Sequence, residues 1–109
     1  MYNYVMLMGR LCTEPDVKTS ASGVDYTNLL LAVSRPFKNP DTNKYDTDFF
    51  PIAVFSSLCD ICKQNLHKGD CVAIKARLER ANSKIESKEI TQTNIVAERI
   101  MFISHSNKN

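Results

Sequence analysis

The sequence predicts an all-β domain, a closed barrel of five strands with one α-helix between the third and the fourth. Three observations carry that expectation. In most segments the apolar residues recur at every second position, the period of a half-buried strand. Only Ser56 to Leu66 has the helical period, with Leu58, Ile61, Cys62 and Leu66 at offsets 0, 3, 4 and 8. The chain has 109 residues, the size of one domain of about 100–150 residues.

The first strand is Tyr4 to Leu11, with Tyr2, Tyr4, Met6 and Met8 on one parity and Val5, Leu7 and Leu11 on the other. Both faces are apolar, as in a strand buried between a barrel and a partner. After Glu14-Pro15-Asp16 and the turn Ala21-Ser22-Gly23, the second strand, Val24 to Arg35, carries Leu29, Leu31 and Val33 at strand spacing. Pro36 to Asp46 contains two Pro, two Asn and two Asp and reads as an exposed hairpin loop. Thr47 to Phe55 is the third strand. The helix follows, with a Ser N-cap and His67-Lys68-Gly69 as its stop. In the fourth strand, Cys71 to Arg80, Val72, Ile74, Ala76 and Leu78 alternate with Ala73, Lys75, Arg77 and Glu79. A polar loop, Ala81 to Glu89, leads to the last strand, Ile90 to Phe102. This order is that of an OB-fold, a Greek-key barrel whose exposed sheet and long loops bind oligonucleotides or oligosaccharides.

Composition sets outer bounds. The net charge is +2 and the pI about 8.4, too weak to announce a nucleic-acid binder, whose domains often exceed a pI of about 9. No apolar run approaches the roughly 18–20 residues of a membrane span, and Met1-Tyr2-Asn3-Tyr4 opens no basic-then-apolar leader. A soluble cytoplasmic protein with no membrane contact is therefore expected, with Cys12, Cys59, Cys62 and Cys71 as thiols. The signatures G-x-S-x-G, H-E-x-x-H and a phosphate-binding Gly loop are missing, and the two histidines, His67 and His105, fall in polar ends. No catalysis and no cofactor are expected.

Two aromatics in the predicted loop stand beside cations: Phe37 next to Lys38, and Tyr45 next to Lys44. An unpaired base stacks on such a ring while the ammonium neutralises a phosphate; equally, each ring could pack beneath its own loop. Phe49 and Phe55 share one strand parity and Phe50 takes the other, so one face can be core and the other a platform, with core the default for a lone strand Phe. Arg10, Arg35, Lys75, Arg77, Arg80, Lys84 and Lys88 form either a cationic track or a solvated surface interleaved with Glu79, Glu86 and Glu89. Cys59-Asp-Ile-Cys62 has the spacing of a zinc half-site or redox pair, but Cys12 and Cys71 lie alone and only His67 is near. No metal is expected, and the thiols read as small core or partner-facing side chains.

The segments Val5-Met-Leu-Met-Gly-Arg-Leu, Glu14-Pro-Asp-Val-Lys18, Ser22-Gly-Val24, Leu31-Ala-Val-Ser-Arg-Pro-Phe-Lys38, Leu66-His-Lys-Gly-Asp70 and Val96-Ala-Glu98 together resemble the bacterial single-stranded DNA-binding protein family. They follow the family's order and spacing over almost the whole chain. The resemblance implies an OB-fold, usually a homotetramer, around which single-stranded DNA wraps during replication, recombination and repair without its sequence being read. It implies an OB-fold binding domain at 1–103 and a short polar tail, expected to be frayed, at 104–109. Phe37, Phe49 and Phe55 fall where the family places base-stacking aromatics, with Tyr45 added from the loop. Arg10, Arg35, Lys38, Lys68, Lys75 and Arg77 become candidate backbone contacts.

Departures temper the resemblance. Where the family usually has an aromatic between the fourth and fifth strands, the chain reads Arg80-Ala81-Asn82-Ser83, and Pro51 stands at a strand position where the family tends to carry a polar or basic residue. Each lost stack removes about 1–3 kcal/mol, so weaker or more salt-sensitive binding is expected. Family members commonly continue to an acidic tip that recruits enzymes; the chain ends at Asn109, and no recruitment through such a tip is expected. A primosome-type accessory protein, usually dimeric and acting through protein contacts, is the alternative reading. An oligomerisation module with a decayed DNA surface is another.

Overall fold

Barrel closure turns on Gly9. The computed structural model describes residues 1–105. The chain runs β1 (Val5–Leu11), β2 (Lys18–Thr19), β3 (Asp25–Lys38), β4 (Tyr45–Phe55), α1 (Leu58–Asn65), β5 (Cys71–Ile85) and β6 (Lys88–Ser104). The sheet order is β1-β5-β6-β4-β3-β2, and β1 returns to pair with β3 through Arg10↔Ala32 and Leu11↔Leu31. That return closes the sheet. A Cβ on Gly9 would collide with the Ala32 carbonyl oxygen and crowd the Val33 side chain. The five long strands form the expected OB-fold barrel, with α1 between the third and fourth of them. β2, unforeseen, adds two residues to the edge of β3 through Lys18↔Tyr26 and Thr19↔Asp25.

Alternation fills the interior. Leu11, Leu29, Leu31, Ile52, Val54, Val72 and Ile74 are each at most 2% exposed, and α1 plugs the barrel with Cys59, Cys62 and Leu66. Two expected core residues are corrected. Leu78 is 40% exposed because β5 has left the barrel there, after a bulge between Lys75 and Ala76. Ile61 is also 40% exposed; in an eight-residue helix Cys59 takes the inward place instead. The expected Ser cap is corrected as well. Ser57 already has helical angles (φ −63°, ψ −25°) and makes no side-chain cap bond, whereas a capping residue sits in the extended region.

Strand reaches into both expected loops. β3 runs on to Lys38 and β4 begins at Tyr45, leaving only residues 39–44 as the turn, held by Asn39 N–H to the Lys44 carbonyl at 2.8 Å and Asn43 N–H to the Asn39 carbonyl at 2.8 Å. An irregularity in register between Ser34 and Lys38 absorbs Pro36. Likewise β5 and β6 pair out to Ile85↔Lys88, and only Glu86 (φ 51°) and Ser87 (φ 67°) turn, the pair of positive φ angles that matches strand twist in a two-residue hairpin. The hairpins project. The radius of gyration is 15.8 Å, against about 13 Å for a compact domain of this length.

The two hairpins meet only where β4 runs parallel to β6, through Ile52↔Ile95 and Ala53↔Val96. Pro51 therefore lies just outside this contact, where β4 is an edge and a missing N–H costs no bond on the β6 side. At the other end, Gly69 (φ 92°) turns the chain from α1 into β5. Its N–H donates to the Leu11 carbonyl at 2.8 Å, and the Leu11 N–H donates to the Asp70 carbonyl at 2.9 Å. The buried Asp70 carboxylate accepts the His67 N–H at 2.9 Å. His105, expected to be frayed, is held: its ring lies 4.5 Å from Phe102 and its Nδ1 3.4 Å from Asp70. The rest of that expected tail, 106–109, lies outside the described residues.

Two outcomes follow from this packing. Gly9→Ala forces backbone apart at the closure and is expected to cost about 3 kcal/mol, read as a lower urea midpoint at unchanged slope; an unchanged midpoint would refute this crossing of β1 and β3. The second concerns the thiols. Burial pushes the Cys59 thiol up and the Cys62 thiol to about 11, and Cys59 donates to the Val54 carbonyl at 3.5 Å. Since the thiolate is the reactive form, iodoacetamide at pH 8 is expected to alkylate Cys12 and Cys71, which are half-buried, and to spare Cys59 and Cys62 until denaturation. Rapid labelling of Cys62 in the native protein would mean that α1 is not seated as described.

Candidate nucleic-acid interface

β4 sorts its aromatics by parity. Phe50 points inward and packs against the core, whereas Tyr45, Phe49 and Phe55 point out, 56%, 59% and 46% exposed. These rings are not core. Across the sheet Phe49 stands opposite Ala32, and Ala32 opposite Arg10, so ring, methyl and guanidinium form one row. Strand spacing of about 4.8 Å separates Phe49 from Arg10 by about 10 Å, and the small Ala32 leaves the space between them open. Phe55 begins a second row with Tyr26 and Lys18. Tyr45 ends the surface at the hairpin tip, opposite Lys38, whose Nζ lies 5.8 Å from the ring centroid.

Arg10 also marks a cationic corner. Its Nη1 donates to the Gly69 carbonyl at 3.1 Å, next to Lys68, whose N–H donates to the Glu14 carboxylate at 2.5 Å. That hydrogen bond holds the Glu14 carboxyl below the usual carboxylate range. Phe37 is 80% exposed and lines a cleft of about 340 Å³ with Arg35, Asn39, Pro40, Asp41 and Asp46. It does not pack beneath its loop. The cleft is acidic on one side, and Asp46 is held there by Asn39 Nδ2 at 3.1 Å.

Three predicted contacts are already engaged by carboxylates. Arg35 donates from Nε and Nη2 to Asp48 at 2.9 and 3.0 Å. That pair raises the Arg35 pKa and lowers that of Asp48. Arg77 lies 2.7 Å from Glu79 and 3.6 Å from Glu98, and Lys75 lies 4.0 Å from Glu98. Lys75 and Arg77 also sit elsewhere. Lys75 is paired with Met6 on β1 and lies 5.6 Å from the Tyr4 ring, on a face that carries Met6 and Met8.

The structure thus gathers Phe49, Phe55, Tyr45, Lys38 and Arg10 on one outer surface, with Lys68 at its corner and Phe37 with Arg35 in the adjoining cleft. It sets Lys75 and Arg77 on the β1–β5 face. Sequence reasoning missed Lys18 and Tyr26, because a two-residue strand has no periodicity to detect, although the Lys-x₇-Tyr pair flanks a legible turn. It also missed Asp48 and Glu98 as carboxylate partners, which the strand register reveals, whereas Glu79, interleaved with the cations in the sequence, does pair with Arg77. Among the described residues no group of three metal-ligating side chains comes together, and no helix is long and apolar enough to cross a membrane.

The model of the single-strand binding protein family matches residues 2–103. The chain is 33% identical over its full length to a protein named single-stranded DNA-binding protein from Staphylococcus aureus (strain MRSA252), of which it covers 70%. A protein of the same name from Fusobacterium nucleatum subsp. nucleatum is 31% identical over 92% of the chain and is covered to 66%. A solved structure, the Plasmodium falciparum SSB complex with ssDNA, has a TM-score of 0.78 at 25% identity, covering 95% of this chain and 96% of that one.

Proposed function

The chain belongs to the single-strand binding protein family, and from that premise we propose that it binds single-stranded DNA without reading its sequence. The observation that carries the reading is the outward row of Phe49, Ala32 and Arg10, flanked by Phe55 and Tyr45. Exposed rings on a rigid sheet stack unpaired bases of any identity, and a duplex offers no free base faces. Arg10, Lys38 and Lys68 neutralise phosphates beside them, which releases counterions and makes affinity fall with salt. Phe37 and Arg35 extend the path into the adjoining cleft. Lys75 and Arg77, paired with Glu98 and Glu79 on another face, are secondary contacts. The protein acts in the cytoplasm on strands exposed in replication, recombination and repair, through the binding domain at 1–103, with neither catalysis nor a cofactor.

The same reading assigns the β1–β5 face to assembly. Tyr4, Met6 and Met8 are all more than half exposed, a large apolar area on a strand whose other parity is core-facing, and such a patch on a small protein marks an interface. We read a homotetramer, with a dimer as the alternative.

Anisotropy of a labelled oligo-dT of several tens of nucleotides, at two salt concentrations with an equal-length duplex as control, tests the binding. Tight single-strand binding that weakens with salt is expected, and Phe49→Ala is expected to lose at least about 1.4 kcal/mol, a tenfold rise in Kd, at unchanged melting temperature. Binding that survives Phe49→Ala and Phe55→Ala together would move the site; no binding by the parent chain would point to a protein partner instead. For assembly, light scattering is expected to give about four times the 12.3 kDa chain mass, falling on Met8→Glu, since a carboxylate cannot be buried there unpaired. A monomer mass for the parent chain would refute the assignment.

A further inference from the structure

Arg35 lies two residues before the exposed Phe37 and, through its partner Asp48, beside the exposed Phe49. It is not free. Two near-parallel hydrogen bonds of 2.9 and 3.0 Å tie its guanidinium fork to the Asp48 carboxylate, the bidentate geometry that the same fork offers to a phosphate. Both side chains remain accessible, at 58% and 38% exposure, so the pair can exchange. Asp46 faces Arg35 as well but is engaged by Asn39. Over residues 35–50 the cations Arg35, Lys38 and Lys44 are matched by Asp41, Asp46 and Asp48. The hairpin that presents the stacking rings has no net charge of its own.

We propose that Asp48 is an affinity-setting residue: its carboxylate competes with the DNA backbone for Arg35, so a phosphate reaches that guanidinium only by displacing it. This rests on the single-strand reading above. Stacking on Phe37, Phe49 or Tyr45 holds the strand at this hairpin whether or not the exchange occurs. The exchange swaps one anion for another and releases little net charge, so it weakens both the affinity and its salt dependence. Asp48 makes the hairpin a platform that grips bases while yielding phosphates.

The test is a double-mutant cycle read by oligo-dT anisotropy at three salt concentrations, with Asp48→Asn, Arg35→Gln and both together, and Asp41→Asn as control for bulk charge. Asp48→Asn is expected to bind about two- to fivefold tighter, the range of an exposed ion pair, with a salt slope steeper by about 0.7, one phosphate on a single strand. Asp41→Asn should gain less, at unchanged slope, and the gain of Asp48→Asn should vanish in the Arg35→Gln background. Asp48→Ser, equally uncharged, replaces the Asn variant if thermal melting shows that the latter is unfolded. An Asp48→Asn protein with unchanged or weaker affinity, or a gain that persists without Arg35, overturns the proposal while parent binding and its loss in Phe49→Ala leave the single-strand reading intact. Failure of the parent chain to bind oligo-dT at any salt overturns both.

Discussion

The approach of β1 to β3 is the constraint on which the rest depends. Gly9 lets backbone meet backbone beside Ala32, and from that crossing two rows run across the barrel in opposite senses. Inside, Leu11, Leu31 and Phe50 align as core; outside, Arg10, Ala32 and Phe49 align as surface. A side chain at position 9 would spread both rows together, because strand residues alternate faces and share one register. Core formation and the placement of a cation beside a ring are consequences of the same close contact.

Electrostatics explains why a chain of weak net charge can still hold a polyanion. Six of the engaged groups, Arg35, Lys75 and Arg77 with Asp48, Glu79 and Glu98, cancel one another within 4.0 Å. What is left around the outer row is a small set of cations, Arg10, Lys18, Lys38 and Lys68, beside large exposed rings. On the proposed reading, such a surface would draw its affinity from stacking first and from phosphate contacts second, with little from long-range attraction.

Where one face is buried, the sequence was legible. Leu29, Leu31, Val72, Ile74 and Ala76 had to be core because the alternation has a period of two, and the same parity separates Phe50 from Phe49 and Phe55. Legibility ended where strands leave the barrel. Lys38 pairs with Tyr45 and residues 81–85 pair with β6 through their backbones, but Pro36, Phe37, Lys38, Ala81, Asn82 and Lys84 are exposed, so no buried parity marks these stretches, and Pro, Asn and Ser read as loop. Arg35 and Asp48 are 13 residues apart, and an irregular register lies beside them, so their pairing had no local signal. The Ser57 cap failed for a different reason: residue preference names a candidate, but only backbone angles let its oxygen reach the first turn.

The seam between the hairpins has a bearing on how the chain reaches this shape. β3–β4 and β5–β6 are joined by short turns and can zip from their ends on a microsecond scale, whereas β1–β5, β1–β3 and β4–β6 bring together segments separated by tens of residues and pay the entropy of closing those loops. With only Ile52–Ile95 and Ala53–Val96 joining the two hairpins, little enthalpy is returned for the last of these closures. Folding speed is therefore governed by the search for this seam rather than by strand formation, and amides at Ile52 and Ala53 should be the first in the barrel interior to exchange with solvent when the two halves part.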